Sequence, residues 1–289
     1  MNQNINQEFI NAVKKGNVEK VKLLLLGNPK INPAANNNEA IRWASENGHT
    51  EVVKLLLNDP RTDPAATNNL AIGVASSNGH TEVVKLLLND PRVNPAADNN
   101  DAIGWASRNG HTEVVKLLLG NPRTDPTADN NWAIRLASEY GHIDVVKLLL
   151  NDPRVNPADN NNWAIRFASQ NGHTEVVKLL LNDPRTDSSA DNNSAIRLAS
   201  QYGHTDVVKL LLNDPRVNPA DNNNYAIRWA SEYGRTEVVK LLLNDPRTDP
   251  AADNNHTIKR ASRNNHTEVV KLLLNDPRTD PAADNNSAN

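Results

Sequence analysis

Seven of the eight histidines recur in one setting: His49, His80, His111, His142, His173, His204 and His266. Imidazole is the side chain that most readily binds metals or moves protons near neutral pH, so this is the first chemistry to weigh. A metal or catalytic centre is a single constellation, however. These histidines come once per 31 residues or a multiple of it. Packed helical repeats stand roughly 8–10 Å apart, too far to share one ion whose ligands lie at about 2 Å. The regular set reads as structural. His256 falls outside the pattern and has no evident partner. Serines recur at the same step: Ser45, Ser76, Ser107, Ser138, Ser169, Ser200, Ser231 and Ser262. A nucleophilic serine needs its own base and orienting acid, so eight equivalent ones point to close helix packing. No glycine-rich phosphate loop occurs, no isolated carboxylate pair stands out for acid–base work, and the absence of cysteine excludes disulfides and thiolate sites. No catalytic residue, metal site or cofactor is expected, and the chain reads as a non-enzyme.

The elements that carry these residues follow from the repeat. Gly-His pairs begin at Gly48, Gly79, Gly110, Gly141, Gly172 and Gly203, and the series continues as Gly234-Arg235 and Asn265-His266. Counted from Gln7 the chain holds nine repeats, with a tenth starting at Ser287. In residues 132–162, WAIRLASEYGHIDVVKLLLNDPRVNPADNNN, Ala133, Ile134 and Ala137 make one apolar helix face. Gly141 stops that helix in the left-handed conformation. Asp144 opens a second helix, where a carboxylate suits the dipole, and Val145, Val146, Leu148, Leu149 and Leu150 supply its apolar face. Asn151-Asp152-Pro153 ends it, since proline cannot continue a helix. Helices of about ten residues are unstable alone, so each repeat must bury its face on its neighbours. The spacing predicts an all-α helix–turn–helix repeat solenoid.

The block A-x-x-G-H-x-x-V-V-x-L-L-L, followed by a Val-Asn such as Val155-Asn156, resembles the ankyrin repeat over residues 7–286. That resemblance implies helix–turn–helix units with a projecting loop, which bind proteins through a concave surface of first helices and loop tips. The repeat here has 31 residues against the family's 33, so the loop hairpin is expected to be shortened or replaced by turns. The family's Thr-Pro-Leu-His start is replaced by x-Ala-Ile-Arg. The preceding residue is always Asn (Asn38, Asn69, Asn100, Asn131, Asn162, Asn193, Asn224, Asn255), and these are expected to act as N-caps. Asn265, in place of the stopping glycine, is expected at positive φ. Residues 1–38 read as an N-terminal capping repeat on Lys14 and Lys15, 39–255 as seven internal repeats, 256–286 as a C-terminal cap with Thr257 and Arg260, and 287–289 as a loose tail. The Asn-rich, near-identical repeats also resemble in style the ankyrin arrays of giant DNA viruses and amoebae.

With 31 Lys and Arg against 34 Asp and Glu, the net charge is −3, too balanced for a general phosphate-backbone binder. The start lacks a signal-peptide core, and the longest apolar run, Leu23 to Leu26, is far below the roughly 20 residues of a membrane span. A cytoplasmic monomer is expected, in the host cytoplasm if the source is viral. Function then lies in what differs between repeats. On the helical wheel the stripe opposite the core reads Trp132, Arg135 and Glu139, and Gly73 and Gly104 occupy the arginine position in two repeats. From 132 to 233 this stripe collects Trp132, Trp163 and Tyr225 with Arg135, Arg166, Arg197 and Arg228, and Tyr140, Tyr202 and Tyr233 lie at the same helix end. Trp, Tyr and Arg are enriched in binding hot spots, so these ten residues are the expected partner-binding set. Arg166 and Arg197, with Gln170 and Gln201 four residues on, are expected to lack a carboxylate. Trp43, Trp105, Phe167 and Trp229 sit one step round the wheel and are expected in the core. The implied partner is a protein. The competing reading is a nucleic-acid solenoid that uses arginines on phosphate and tryptophans for stacking.

Overall fold

The computed structural model describes residues 2–279. Among them the chain forms eighteen helices and no strand, two helices per repeat. The described residues make two compact bodies, residues 2–137 with 147–155, and residues 138–146 with 156–279. No described helix is long and apolar enough to cross a membrane. The expected tail at 287–289, and the end of the ninth repeat from 280, lie outside the described residues.

The repeat spanning 163–193 shows how sequence becomes structure. Its helices are Asp159–Gln170 and Thr174–Leu181. Ala164, Ile165 and Ala168 of the first helix and Val176, Val177 and Leu180 of the second are completely buried. Small alanines let the first helices approach closely, while the Val and Leu side chains fill the space beneath them. Gly172, at φ 76°, ends the first helix as expected. A β-carbon there would come within 2.5 Å of His204 Nδ1 in the next repeat. The same imidazole donates from Nε2 to the Gln170 carbonyl at 2.8 Å. His49, His80, His111, His173 and His266 make the equivalent bond at 2.8–3.0 Å. The recurring histidines thus seat each repeat on the glycine turn before it. Arg235 does the same work where histidine is missing, donating to the Gln201 carbonyl at 3.0 Å. Ser45, Ser76, Ser107, Ser138, Ser169, Ser200 and Ser231 are fully buried and their Oγ atoms lack a hydrogen-bond partner, as small packing residues rather than nucleophiles. Asn265 adopts φ 59° as expected.

Two features lie in the loops. Turns replace the hairpin, and an Asp-Pro-Arg sequence forms a clamp. Asp183 accepts from the Arg185 backbone N–H at 2.9 Å and pairs with its guanidinium at 2.6 Å. In the next repeat Arg216 pairs with Asp214 and reaches back to the Thr186 carbonyl at 2.7 Å and the Leu181 carbonyl at 3.2 Å. The arginine therefore ties adjacent loops together, and it holds its aspartate below the usual carboxylate range. In the fourth repeat Asn121 stands in for the aspartate, and Arg123 still reaches the Val93 carbonyl.

The second feature corrects the expected N-caps. From the second repeat to the ninth, three residues near the start of the first helix, such as Asp191-Asn192-Asn193, all lie in the left-handed region, with φ between 48° and 64°, and kink the helix there. L-residues lose roughly 1–2 kcal/mol each there, Asn and Asp least, which explains the Asn-rich composition. The backbone N–H of Asn193 closes this turn on the Ser189 carbonyl at 2.9 Å. Its side chain bonds to the next repeat rather than within its own helix. Oδ1 accepts the Asn218 backbone N–H of the next repeat's loop at 2.8 Å. Asn38, Asn69, Asn100, Asn162 and Asn224 do likewise at 2.7–2.8 Å. These asparagines are connectors between repeats, because a left-handed turn aims the third side chain at the neighbouring loop rather than along its own helix.

The end repeats differ from a simple polar cap. Lys14 faces the second repeat, 3.6 Å from Glu39 and 4.1 Å from the Trp43 ring centre. Leu23 and Leu26 are exposed. Thr257 is fully buried, and Arg260 pairs with Glu232 of the preceding repeat.

Candidate functional site

The expected stripe is half-buried rather than fully exposed. Trp132, Arg135, Trp163, Arg166, Arg197 and Tyr225 are intermediate, and Arg228 is buried. The reason is the left-handed turn. Each arginine curls back over it, so that the guanidinium meets the turn's carbonyls. Arg135 Nη2 reaches the Asp129 carbonyl at 3.1 Å, and Arg197 donates from Nε to the Asn192 carbonyl at 3.0 Å and from Nη2 to the Asp191 carbonyl at 3.1 Å. Carboxylates complete the shell. Arg166 pairs with Asp191 of the following turn at 2.8 Å, and Arg197 lies 4.0 Å from the same carboxylate. Arg228 pairs with Asp253 at 3.1 Å. The expectation that Arg166 and Arg197 lack a carboxylate is therefore wrong. Counting residues four apart on one helix could not reveal it, because the acids belong to turns.

The aromatic residues one step round the wheel are also not core. Trp43, Trp105, Phe167 and Trp229 are all half-buried. They pair with the stripe itself. In the first body Trp105 meets Trp132 edge-on, with ring centres 5.3 Å apart. In the second, Trp163 stacks on Phe167 at 4.0 Å, and Tyr225 lies tilted against Trp229 with ring centres 5.4 Å apart. Trp163 Nε1 donates to Glu139 at 3.4 Å. Arg228 lies 4.9 Å from the Tyr225 ring centre, and Arg197 5.9 Å from both Tyr225 and Trp229. Large rings are too wide for the alanine-lined interface between first helices, so the helix face beside it carries them. The available signal was that Trp, Val, Leu, Phe and Arg all occur at this position, a variety that a tight core slot does not accept.

Tyr140, Tyr202 and Tyr233 are the most exposed of the expected residues, at 44 %, 46 % and 47 %. They take a position that other repeats give to asparagine. There Asn78, Asn109 and Asn171 donate to a carbonyl of the preceding repeat at 2.7–2.9 Å. Three repeats thus present a phenol ring where three others make a connecting bond, while Asn47 and Asn264 donate within their own helix. At the far end, burial first, and then Arg228 and Arg260, hold the His256 imidazole below its ordinary value, although its Nδ1 is 3.3 Å from Asp253. No group of three or more metal-ligating side chains stands together among the described residues.

Helix pairs locked by glycine turns, with varied aromatic and arginine side chains on the first-helix face, define a helical repeat solenoid. A family profile described as "Ankyrin repeats (3 copies)" matches residues 9–97, 72–161, 134–223, 165–257 and 198–287. The chain belongs to the ankyrin-repeat family. No curated protein sequence matches it. Ankyrin repeats are generally protein–protein interaction modules.

Proposed function

We propose that the chain is a non-catalytic scaffold that holds a partner protein on the first-helix face of the second body, from Trp163 to Tyr233, the concave face in the family's arrangement. The observation that carries this reading is the joint presence of half-buried ring pairs and exposed tyrosines in these repeats: Trp163 on Phe167, Tyr225 against Trp229, and Tyr202 and Tyr233 outermost. Rings already paired and arginines already held lose little freedom when a partner arrives, so more of the contact energy appears as affinity. The competing nucleic-acid reading has less support. Arg166 and Arg228 are neutralised by Asp191 and Asp253, which leaves little free charge for phosphate. The recurring histidines and serines are spent on seating and packing, which supports a scaffold over an enzyme.

The test is affinity capture from the native host's lysate, followed by titration calorimetry with the captured protein. Trp163→Ala and Tyr225→Ala should each weaken binding by about 2 kcal/mol or more if they are hot spots. Binding that survives both changes overturns the reading. Affinity that collapses steeply with added salt favours nucleic acid instead.

A further inference from the structure

The third and fourth repeats carry Gly73 and Gly104 where other repeats have arginine or lysine. The two glycines have opposite surroundings. At Gly104 the Trp132 ring of the next repeat fills the space, and a β-carbon would come within 2.1 Å of it. At Gly73 a β-carbon would meet nothing within 4 Å. The residue equivalent to Trp132 is here Asp101, which has no ring to lay over the glycine. An open cleft of about 260 Å³ remains. Leu70, Val74 and Trp105 form its apolar side, and Asp98 and Asp101 its acidic side.

The second repeat period that matters is that of the carboxylates. Asp191, three repeats further on, holds Arg166 at 2.8 Å and Arg197 at 4.0 Å. The residues that occupy those two places around Asp98 are Gly73 and Gly104. Asp98 has lost both guanidiniums and accepts only from Asn68 Nδ2, at 3.2 Å. Asp101 accepts from the Trp105 indole, and no cation pairs with either carboxylate among the described residues. Burial, with Asp98 beside it, pushes the Asp101 carboxyl up, which is the behaviour of an acid with no counter-ion. The Trp105 ring already accepts one guanidinium, that of Arg108 at 5.4 Å.

We propose that this cleft is a docking site for an arginine side chain of a partner protein, its guanidinium on Asp98 and Asp101 and its methylenes against Leu70, Val74 and Trp105. Arginine fits better than lysine. Its flat fork can engage two carboxylates and lie on an indole, whereas an ammonium is a hydrated point charge. The fold itself supplies the template, since an arginine occupies the equivalent place on Asp191. The proposal rests on the protein-binding reading only in that the arginine arrives on a protein. It involves none of the residues between Trp132 and Tyr233.

The experiment uses the full chain labelled for amide NMR and titrated with N-acetyl-arginine N-methylamide. The uncharged isostere N-acetyl-citrulline N-methylamide is the control. Saturable shifts are expected at the amides of Leu70, Gly73, Asp98 and Asp101, with citrulline at least about ten-fold weaker. Asp98→Asn, which keeps a residue tolerant of the left-handed turn, should reduce the response by a similar factor. Gly73→Arg should abolish it by supplying the missing guanidinium from the chain itself. Equal responses to the two compounds, or no saturable shift in the native chain, overturn the proposal whether or not either variant folds. Neither result bears on the ring-bearing face tested by Trp163→Ala.

Discussion

In repeats six to eight, Arg166, Arg197 and Arg228 curl over left-handed turns and meet Asp191 and Asp253. In repeats three and four the same helix position holds Gly73 and Gly104, and the chain answers one glycine with Trp132 and leaves the other open. Near-identical backbones thus carry three surfaces: charge-closed, ring-closed and open. The difference teaches that in such an array the backbone and its connectors stay constant while one helix position sets the local chemistry. It also separates two kinds of arginine. Those of the Asp-Pro-Arg clamps recur and join loops, whereas those of the first helices vary and shape the face.

The largest expected effect on this comparison comes from acid. Asp59, Asp90, Asp152, Asp183, Asp214, Asp245 and Asp276 are all held below the ordinary value of 3.8, chiefly by hydrogen bonds from the arginine two residues on. A depressed folded value means that the stabilisation is complete above the unfolded carboxylate range. It is lost as pH falls through the folded value. Four of these clamps lie in the second body and three in the first, where Asn121 takes the fourth place. Hydrogen exchange corrected for intrinsic rate should therefore show repeats six to eight losing more protection than repeats three and four between pH 7 and pH 3. A uniform response would mean that the clamps do not set regional stability.

Next in size are the connectors. Asn193→Ala removes the acceptor of the Asn218 N–H and a bond to Asp221. Asn100→Ala removes the acceptor of the Asp125 N–H. An orphaned buried donor costs about 1–3 kcal/mol, and alanine in the left-handed region adds roughly 1–2 kcal/mol. Urea unfolding should show both variants destabilised, Asn193→Ala by about 1 kcal/mol more. Loss of less than about 0.5 kcal/mol in both would refute the connector role.

The smallest effects separate the two glycines. Gly73→Ala enters open space and should stabilise by about 0.8–1 kcal/mol through helix propensity. Gly104→Ala meets the Trp132 ring, and the overpacking, about 1–3 kcal/mol, should cancel or reverse that gain. Equal stabilisation of both variants in thermal melts would show that Trp132 does not occupy the Gly104 cradle in solution.

Much of the fold was legible because it rests on local rules repeated many times. The Gly141-His142 series announced the helix stop, Val145 and Val146 the buried face, and Asn265 its positive φ. The site was legible in residue type but not in arrangement. Arg166 reads as lacking a carboxylate along its helix, yet Asp191 reaches it from another repeat. Trp105 and Phe167 read as core on the wheel, yet they face outward against Trp132 and Trp163.

The amino-acid sequence by itself determined the repeat length, the helix pairs, the turns and the family, because periodicity and backbone preference act within a few residues. Tertiary structure alone decided where Asn193 sends its oxygen, which acids hold the arginines, and why Gly104 is covered while Gly73 is not. Those outcomes depend on side chains 25 or 28 residues apart, brought into contact only when one repeat packs on the next. No local preference encodes such distances.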